Sequence, residues 1–365
     1  MRIKLISGIY PPEIGGPAQF IPKLADFLLK KSHECEVLTL GNKPILPSQQ
    51  AWTVDYIKRD KLPIRFTKVI AHLLRERKKS DIYFANGLIE EVGIFLFVTR
   101  RKGVAKIVGD AVWERARNNG ETVESVSEFN LHDGTFKQRI ESILLVFALN
   151  QFKLVMCPSH ELKNLVSRWG VRTPIVVIQN GVTVPDINQI AEKEFDVVTV
   201  SRLVNWKNVD FVIKACHRAG ASLTVVGEGP EREQLEAIAK ENDLKVFFAG
   251  NIDNFEIPNI LKKSKLFVLY SDYEGLSFAL LEAMSYGVVP VVSNCEGNTS
   301  VITNGVTGYV VPMKNLEYLA QSIKTLLSEE KLRESMAVNS KALIIDRYNL
   351  EDRLNDYLNF FGKVA

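Results

Sequence analysis

The chain has 365 residues, 46% hydrophobic and 24% charged, with a formal net charge of +3. That length is generous for one ordinary domain and suits two, each with its own core. The composition excludes a disordered or fibrous protein. Four cysteines, Cys35, Cys157, Cys216 and Cys295, stand singly, with no CxxC pair and no His at ligand spacing. This points to a reducing compartment and away from a structural zinc site. The opening MRIKLISGIYPP reads as a first strand rather than a signal peptide. No apolar run reaches the roughly 18 to 20 residues that a membrane-spanning helix needs. A soluble, cytoplasmic protein is expected.

Charge is unevenly spread. Residues 1–180 carry 27 Lys and Arg against 18 Asp and Glu, and the remainder carries 19 against 25. Much of the excess lies in Lys58–Lys79, where Ile64, Phe66, Val69, Ile70, Leu73 and Leu74 recur at roughly helical intervals. Two readings of this amphipathic stretch stay open: a solvated helix face, or a patch that rests on the anionic headgroups at the cytosolic face of a membrane. Nucleic acid is a poor third, since no aromatics interleave the charges and no nucleic-acid module is recognisable.

In chain order, strand-like runs appear at 3–10, 35–40, 81–86, 106–111 and 154–159, with 175–182 at a crossover. Five more follow at 196–203, 222–229, 245–250, 266–272 and 288–294. Helical patterns fall at Ala18–Lys31, Phe136–Gln151, Asn208–Arg218, Glu231–Asn242, Ile257–Lys263, Leu280–Tyr286, Leu316–Ser328 and Leu350–Phe361. Strands alternating with helices imply parallel sheets covered on both faces. A break with two prolines and a polar tail between Gly170 and Glu194 separates two doubly wound domains. Trp113–Asp133 is polar and aperiodic, the look of a functional or mobile loop.

Ligands of open α/β sheets bind beyond the carboxyl ends of the strands, and the unusual residues lie there. Gly15 and Gly16 follow the first strand and precede a helix, which is either a structural turn or an anion site. The pattern is not GxGxxG, so a dinucleotide-dependent dehydrogenase is a poor match. Arg202 and Lys207, five apart at a strand end, suit one diphosphate, the first as a fork and the second as a point charge; ordinary surface charge is the alternative. Gly227, in GEGP, marks a strand-to-helix turn. Glu274 and Glu282 are eight apart. The backbone N–H groups of Gly275, Leu276 and Ser277 would sit at a helix N-terminus, a second phosphate site. Glu282, among Leu281, Ala283 and Met284, needs a partner if buried, and a ribose hydroxyl pair would serve.

The segments SRLVNWK, VVGEGPER, SDYEGLSFALLEAMSYGVVPVVS and TNGVTGYVV, in this order and spacing, resemble the C-terminal domain of family 4 (group 1) retaining glycosyltransferases. IYPPEIGG resembles that family's N-terminal donor loop, and QNGV its interdomain junction. The resemblance covers nearly the whole chain. It implies a GT-B fold, two Rossmann-like doubly wound parallel-sheet domains facing each other across a deep cleft. Residues 1–175 would bind acceptor, residues 176–349 the nucleotide-sugar donor, and a helix over 350–365 would cross back to the first domain. It implies that Arg202 and Lys207 neutralise the donor diphosphate, that Glu282 holds the ribose, and that Glu274 faces the transferred sugar. The amides of Gly275, Leu276 and Ser277 would hold a phosphate. Gly15 and Gly16 would approach it from the other domain, and backbone near Gly250 and Asn251 would select the base. No metal and no cofactor is implied. Asp272 and Glu274 could be mistaken for a metal-binding acid pair, but the family pattern explains Glu274 without one.

One departure stands out. Many members carry a His after the strand that here reads KIVGDAVWERAR, where this chain has Asp110. That acid could bond a sugar hydroxyl, contact the acceptor, or cap a turn. The expected function is transfer of a hexose-type sugar from a UDP- or GDP-linked donor to a lipid-linked or polysaccharide acceptor, in cell-envelope glycan synthesis. The alternatives are a GT-B nucleotide-sugar epimerase and a non-catalytic nucleotide-sugar-binding protein.

Overall fold

A computed structural model describes residues 1–13, 15–42, 50–131, 134–185, 192–241, 244–253 and 256–365. The chain begins with β1 (Arg2–Ser7), α1 (Gly16–Lys30), β2 (Glu34–Leu40), β3 (Thr53–Ile57) and α2 (Leu62–Glu76). There follow β4 (Ile82–Asn86), α3 (Ile89–Thr99), β5 (Lys102–Lys106), α4 (Ala111–Asn118), α5 (Val126–Phe129) and α6 (Phe136–Leu149). Next come β6 (Leu154–Cys157), α7 (His160–Arg168), β7 (Ile175–Val177), β8 (Phe195–Val200), a 3-10 turn (Asn205–Lys207), α8 (Val209–Ala219) and β9 (Leu223–Val226). The chain continues through α9 (Arg232–Glu241), β10 (Val246–Gly250), α10 (Ile257–Lys262), β11 (Ser264–Leu269), α11 (Phe278–Ser285) and β12 (Val289–Ser293). It ends with α12 (Glu296–Thr299), β13 (Tyr309–Val311), α13 (Leu316–Ser328), α14 (Glu330–Arg347) and α15 (Leu350–Val364).

The chain forms two compact units: Met1–Val112 with Leu131–Gln179 and Leu354–Ala365, and Trp113–Asn130 with Asn180–Arg353. This differs from a division at residue 175. The aperiodic segment after Val112 belongs to the second unit, because its own apolar and charged side chains find their partners there. Of the sequence expectations, Asp133 of that segment, Asn242 at a helix end and part of the break (186–191) lie outside the described residues.

The first unit holds a parallel sheet in the order β3-β2-β1-β4-β5-β6-β7. Its central strands are buried on both faces: Leu5 pairs in register with Val37 on one side and Phe84 on the other. The end of α15 packs on this unit, with the Tyr357 ring 5.0 Å from Phe20 and Phe361 5.4 Å from Phe84. On β1, the buried Lys4 ammonium donates to Glu36 at 3.0 Å, Asp55 at 2.7 Å and Glu76 at 3.1 Å. Burial alone would lower the Lys4 pKa, but these three carboxylates outweigh it and raise the value.

The second unit is also parallel, in the order β10-β9-β8-β11-β12-β13. Successive residues serve opposite faces, as strand geometry requires. Val197, Leu266 and Val268 join the core under α8 and α13, whereas Val198, Phe267 and Leu269 join the core under α10 and α11. Strands beyond the expected five per sheet are short or lie at an edge. β3 (TVDYI) is interrupted by Asp55, and β13 has three residues. In the basic stretch, the expected helix is α2. Its charge is partly neutralised: Arg65 bonds the buried Glu91 at 2.8 Å, Lys68 bonds Asp60 at 2.6 Å and Lys79 bonds Glu76 at 2.7 Å.

Candidate active site

In the second unit the loops leaving β8, β9 and β10 are tied to one another by backbone. Ser201 N–H donates to Val226 O at 3.0 Å, Leu203 N–H to Glu228 O at 2.9 Å and Gly227 N–H to Gly250 O at 2.9 Å. The approach is too close for side chains: a Cβ on Gly227 would lie 1.9 Å from Ser201 O, and one on Gly229 2.2 Å from Leu203 O. Gly227 also has φ +134, a region that favours glycine. The GEG turn is therefore a packing requirement of the loop cluster that carries Arg202. Gly250, at φ +68, turns the chain from β10 to the exposed Asn251.

The 3-10 turn after β8 aims Lys207 at the end of β11. Its Nζ donates to Glu274 Oε1 at 2.5 Å, and the Ser271 hydroxyl donates to the same oxygen at 2.6 Å. The two side chains are only 15% and 9% exposed, so this is a nearly desolvated ion pair whose geometry is set on both sides. Asn208, left-handed at φ 49, begins α8 and uses its side-chain amide on Tyr270 O at 3.1 Å and Asp272 Oδ1 at 2.7 Å. The other oxygen of Asp272 accepts from Arg117 of α4 at 2.6 Å. Both Asp272 oxygens are thus engaged by cationic or amide donors. Behind Glu274, α12 approaches so closely that a Cβ on Gly297 would lie 2.0 Å from Glu274 O.

Gly275 and Leu276 are buried and lead into α11, which Ser277 caps: its hydroxyl accepts from Leu280 N–H at 3.3 Å. The buried Asn180 of QNGV donates to Leu276 O at 2.8 Å and fixes this turn from behind. The helix N-terminus leaves first-turn amides for an anion. Glu282 is half-buried on α11 between buried Leu281 and Ala283. Burial, helped by the Glu282 charge, raises the Tyr286 phenol pKa. Arg202 is about half exposed, 3.6 Å from Glu114 Oε2, with its guanidinium 5.8 Å from the Trp206 ring centre.

In the first unit, Gly15 caps α1 at φ +153, and a Cβ there would meet Ile9 Cδ1 at 2.6 Å. Gly16 is the first residue of α1. Asp110 is buried, and its Oδ1 accepts from Val112 N–H at 3.0 Å, an Asx cap on the start of α4. Of the expected residues, Arg202, Lys207, Gly227, Gly250, Asn251, Glu274, Gly275, Leu276, Ser277 and Glu282 fall in the second unit, and Gly15, Gly16 and Asp110 in the first. Sequence reasoning missed Arg117, Asn208, Ser271 and Gly297. Asp272, the partner of Arg117 and Asn208 two residues before Glu274, carries a signal in the sequence only as a possible metal-binding acid.

Two parallel α/β units with charged and glycine-rich turns at their strand ends are the architecture of the GT-B fold. A model of "Glycosyltransferase Family 4" matches residues 14–184, and one of "Glycosyl transferases group 1" matches residues 183–343. The chain belongs to the group 1, family 4 glycosyltransferases. An uncharacterised glycosyltransferase of Methanocaldococcus jannaschii is 25% identical, with 100% of this chain and 98% of that protein covered. A GDP-mannose-dependent monoacylated α-(1-6)-phosphatidylinositol monomannoside mannosyltransferase of Corynebacterium glutamicum is 22% identical, with 97% of each covered. The crystal structure of Anabaena HepE in complex with UDP and glucose superposes with a TM-score of 0.81 at 18% identity, covering 100% of both chains, and has the same fold.

Proposed function

We propose that the protein is a retaining, metal-independent hexosyltransferase. Its donor is a UDP- or GDP-sugar, and its acceptor is a lipid-linked or polysaccharide glycan of the cell envelope. The observation that carries this reading is the nearly buried Lys207–Glu274 pair beside Arg202 and the α11 N-terminus. As the bond between sugar and diphosphate breaks, charge grows on the phosphate oxygens. Arg202, Lys207 and the amides of Gly275, Leu276 and Ser277 stabilise it, and preorganised donors in a desolvated site act most strongly there. Those two cations supply the charge that a divalent metal supplies elsewhere. Glu274, held by Lys207 and Ser271, accepts hydrogen bonds from the transferred sugar, and Glu282 accepts from the ribose hydroxyls. Asp110, which caps the start of α4 in the first unit, contacts sugar or acceptor. The nucleotide in the HepE structure and the lipid acceptor of the Corynebacterium relative support these substrate classes. The basic excess of the first half supports work at an anionic cytosolic membrane face.

The test is a thermal-shift panel of UDP-, GDP- and ADP-sugars on the wild type and Glu282→Ala. A donor present at about 100 times its Kd adds about 2.7 kcal/mol to the folded state. One responder, lost in the variant, is expected. Transfer should persist with EDTA, and NMR of the product should show the donor's anomeric configuration. An epimerised donor without acceptor, or a chelator-sensitive reaction, would overturn the reading.

A further inference from the structure

The helices α2, α3 and α6 lie side by side in the first unit. α3 and α6 come closest at Gly93, where a Cβ would stand 2.5 Å from Ala148 Cβ. Further out their rings join, Phe97 against Phe147 with centroids 5.5 Å apart. Gln138, Leu145, Ala148 and Leu149 form the buried side of α6. On the other side Phe136, Ile140, Ile143, Leu144 and Phe147 are all exposed, Phe136 by 80% and Ile143 by 65%. Their offsets of four, seven, eight and eleven trace one helical stripe. α3 extends it with Phe97 and Val98, the latter 63% exposed. A contiguous apolar surface of this kind marks an interaction site rather than ordinary scatter.

The charge around the stripe decides what covers it. In sequence the stripe is flanked by Arg100, Arg101, Lys102, Lys137 and Arg139, and the Arg100 guanidinium lies 5.2 Å from the Phe97 ring centre. Of the acids on α3 and α6, Glu90, Glu91 and Glu141, Glu91 is buried and paired with Arg65. An isologous pairing of two copies would bring both cationic borders together. An anionic bilayer satisfies both features: aromatic and aliphatic tips reach the acyl boundary while long cationic side chains stay among the headgroups. We propose that the α3–α6 face seats the protein on an anionic membrane, with α2 as its electrostatic flank. α6 ends five residues before β6 begins, so its C-terminus lies at the amino edge of the sheet. Its fourteen residues run back about 21 Å toward the carboxyl edge, which places Phe136 at the edge where Gly15 and Asp110 begin α1 and α4. This inference deepens the lipid-linked acceptor reading and rests on it for its purpose.

The test is co-sedimentation of the full chain with phosphatidylglycerol–phosphatidylcholine vesicles and with phosphatidylcholine vesicles alone. Wild type should bind the anionic vesicles, and the double variant Phe136→Asp, Ile143→Asp should bind at least about tenfold more weakly. Val338→Asp, which removes an equally exposed side chain of α14, should bind as wild type. Circular dichroism and the nucleotide-sugar thermal shift should be unchanged in all three. Equal binding by the double variant, or none by wild type, would overturn the inference. So would a lipid-free dimer in light scattering that the double variant abolishes, since the occupant would then be a second copy. Transfer assayed separately on a detergent-solubilised lipid-linked glycan distinguishes the two failures. Product without vesicle binding sinks the docking surface alone, and vesicle binding without product sinks the acceptor reading alone.

Discussion

Arg117→Ala should show that α4 is a working part of the second unit. Its guanidinium reaches Asp272 at 2.6 Å, with side chains 9% and 26% exposed. Removing one partner of a fully buried pair costs about 3–5 kcal/mol, and an exposed pair contributes at most about 1. Asp272 is partly exposed and keeps its bond from Asn208, so an intermediate loss of about 2 kcal/mol is expected. For a unit of this size that lowers Tm by about 4–8 °C. The consequence reaches the chemistry, because Asn208 adjoins Lys207 and Asp272 lies two residues before Glu274. A double-mutant cycle with Asp272→Ala, read by urea denaturation and by donor titration, should give a coupling of about 1–2 kcal/mol in stability. Donor affinity should be weakened in both single variants. A coupling below about 0.5 kcal/mol, or donor binding untouched in both, would mean that the contact is idle and that α4 only rests on this unit.

On the proposed reading, Lys207→Ala removes a preorganised cation from the leaving group and should lower transfer by about a hundredfold or more while the protein stays folded; steady-state kinetics checks it. Gly227→Ala should cost at least about 3 kcal/mol, combining a strained φ with collision against Ser201 O. Gly220→Ala, left-handed at φ +67 but with open space around it, should cost about 1–2; paired denaturation curves test the contrast. Lys4→Met should cost about 3 kcal/mol near neutral pH by stranding three carboxylates. The His72 ring, with Nε2 3.3 Å from Asp55 Oδ2, and Lys4 hold the Asp55 carboxyl well below the usual carboxylate range. Its stabilisation is therefore complete above about pH 4 and lost as the pH falls further, so the gap between wild type and variant should narrow in acid.

The alternation of apolar runs and helical patterns made both parallel sheets legible, because the central strands are buried on two faces and read as continuous apolar segments. What escaped has a physical reason. α3 (IEEVGIFLFVT) has mean hydropathy high on every side and so carries almost no periodicity. α14 is nearly as weak in pattern, with only Met336, Ser340 and Ile344 buried along eighteen residues. The edge strands β3 and β13 face less of the core and need fewer apolar residues.

The candidate site was legible to the extent that its chemistry sits on short motifs. Lys207 and Glu274 could be singled out as a cation and an acid at strand ends, but their pairing spans 67 residues and no local pattern encodes it. Arg117 shows the same limit more sharply. It lies in a segment that reads as a polar loop of the first domain, yet it meets Asp272 across 155 residues. The segment looked aperiodic because its apolar residues serve the other unit: the buried Trp113 ring packs 5.6 Å from Trp206 and 5.5 Å from Tyr273. Sequence neighbours imply a shared core only when the intervening chain has partners at home. Where a stretch without periodicity contains a Trp and an Arg two turns apart or less, those two residues are the place to ask which core the stretch belongs to.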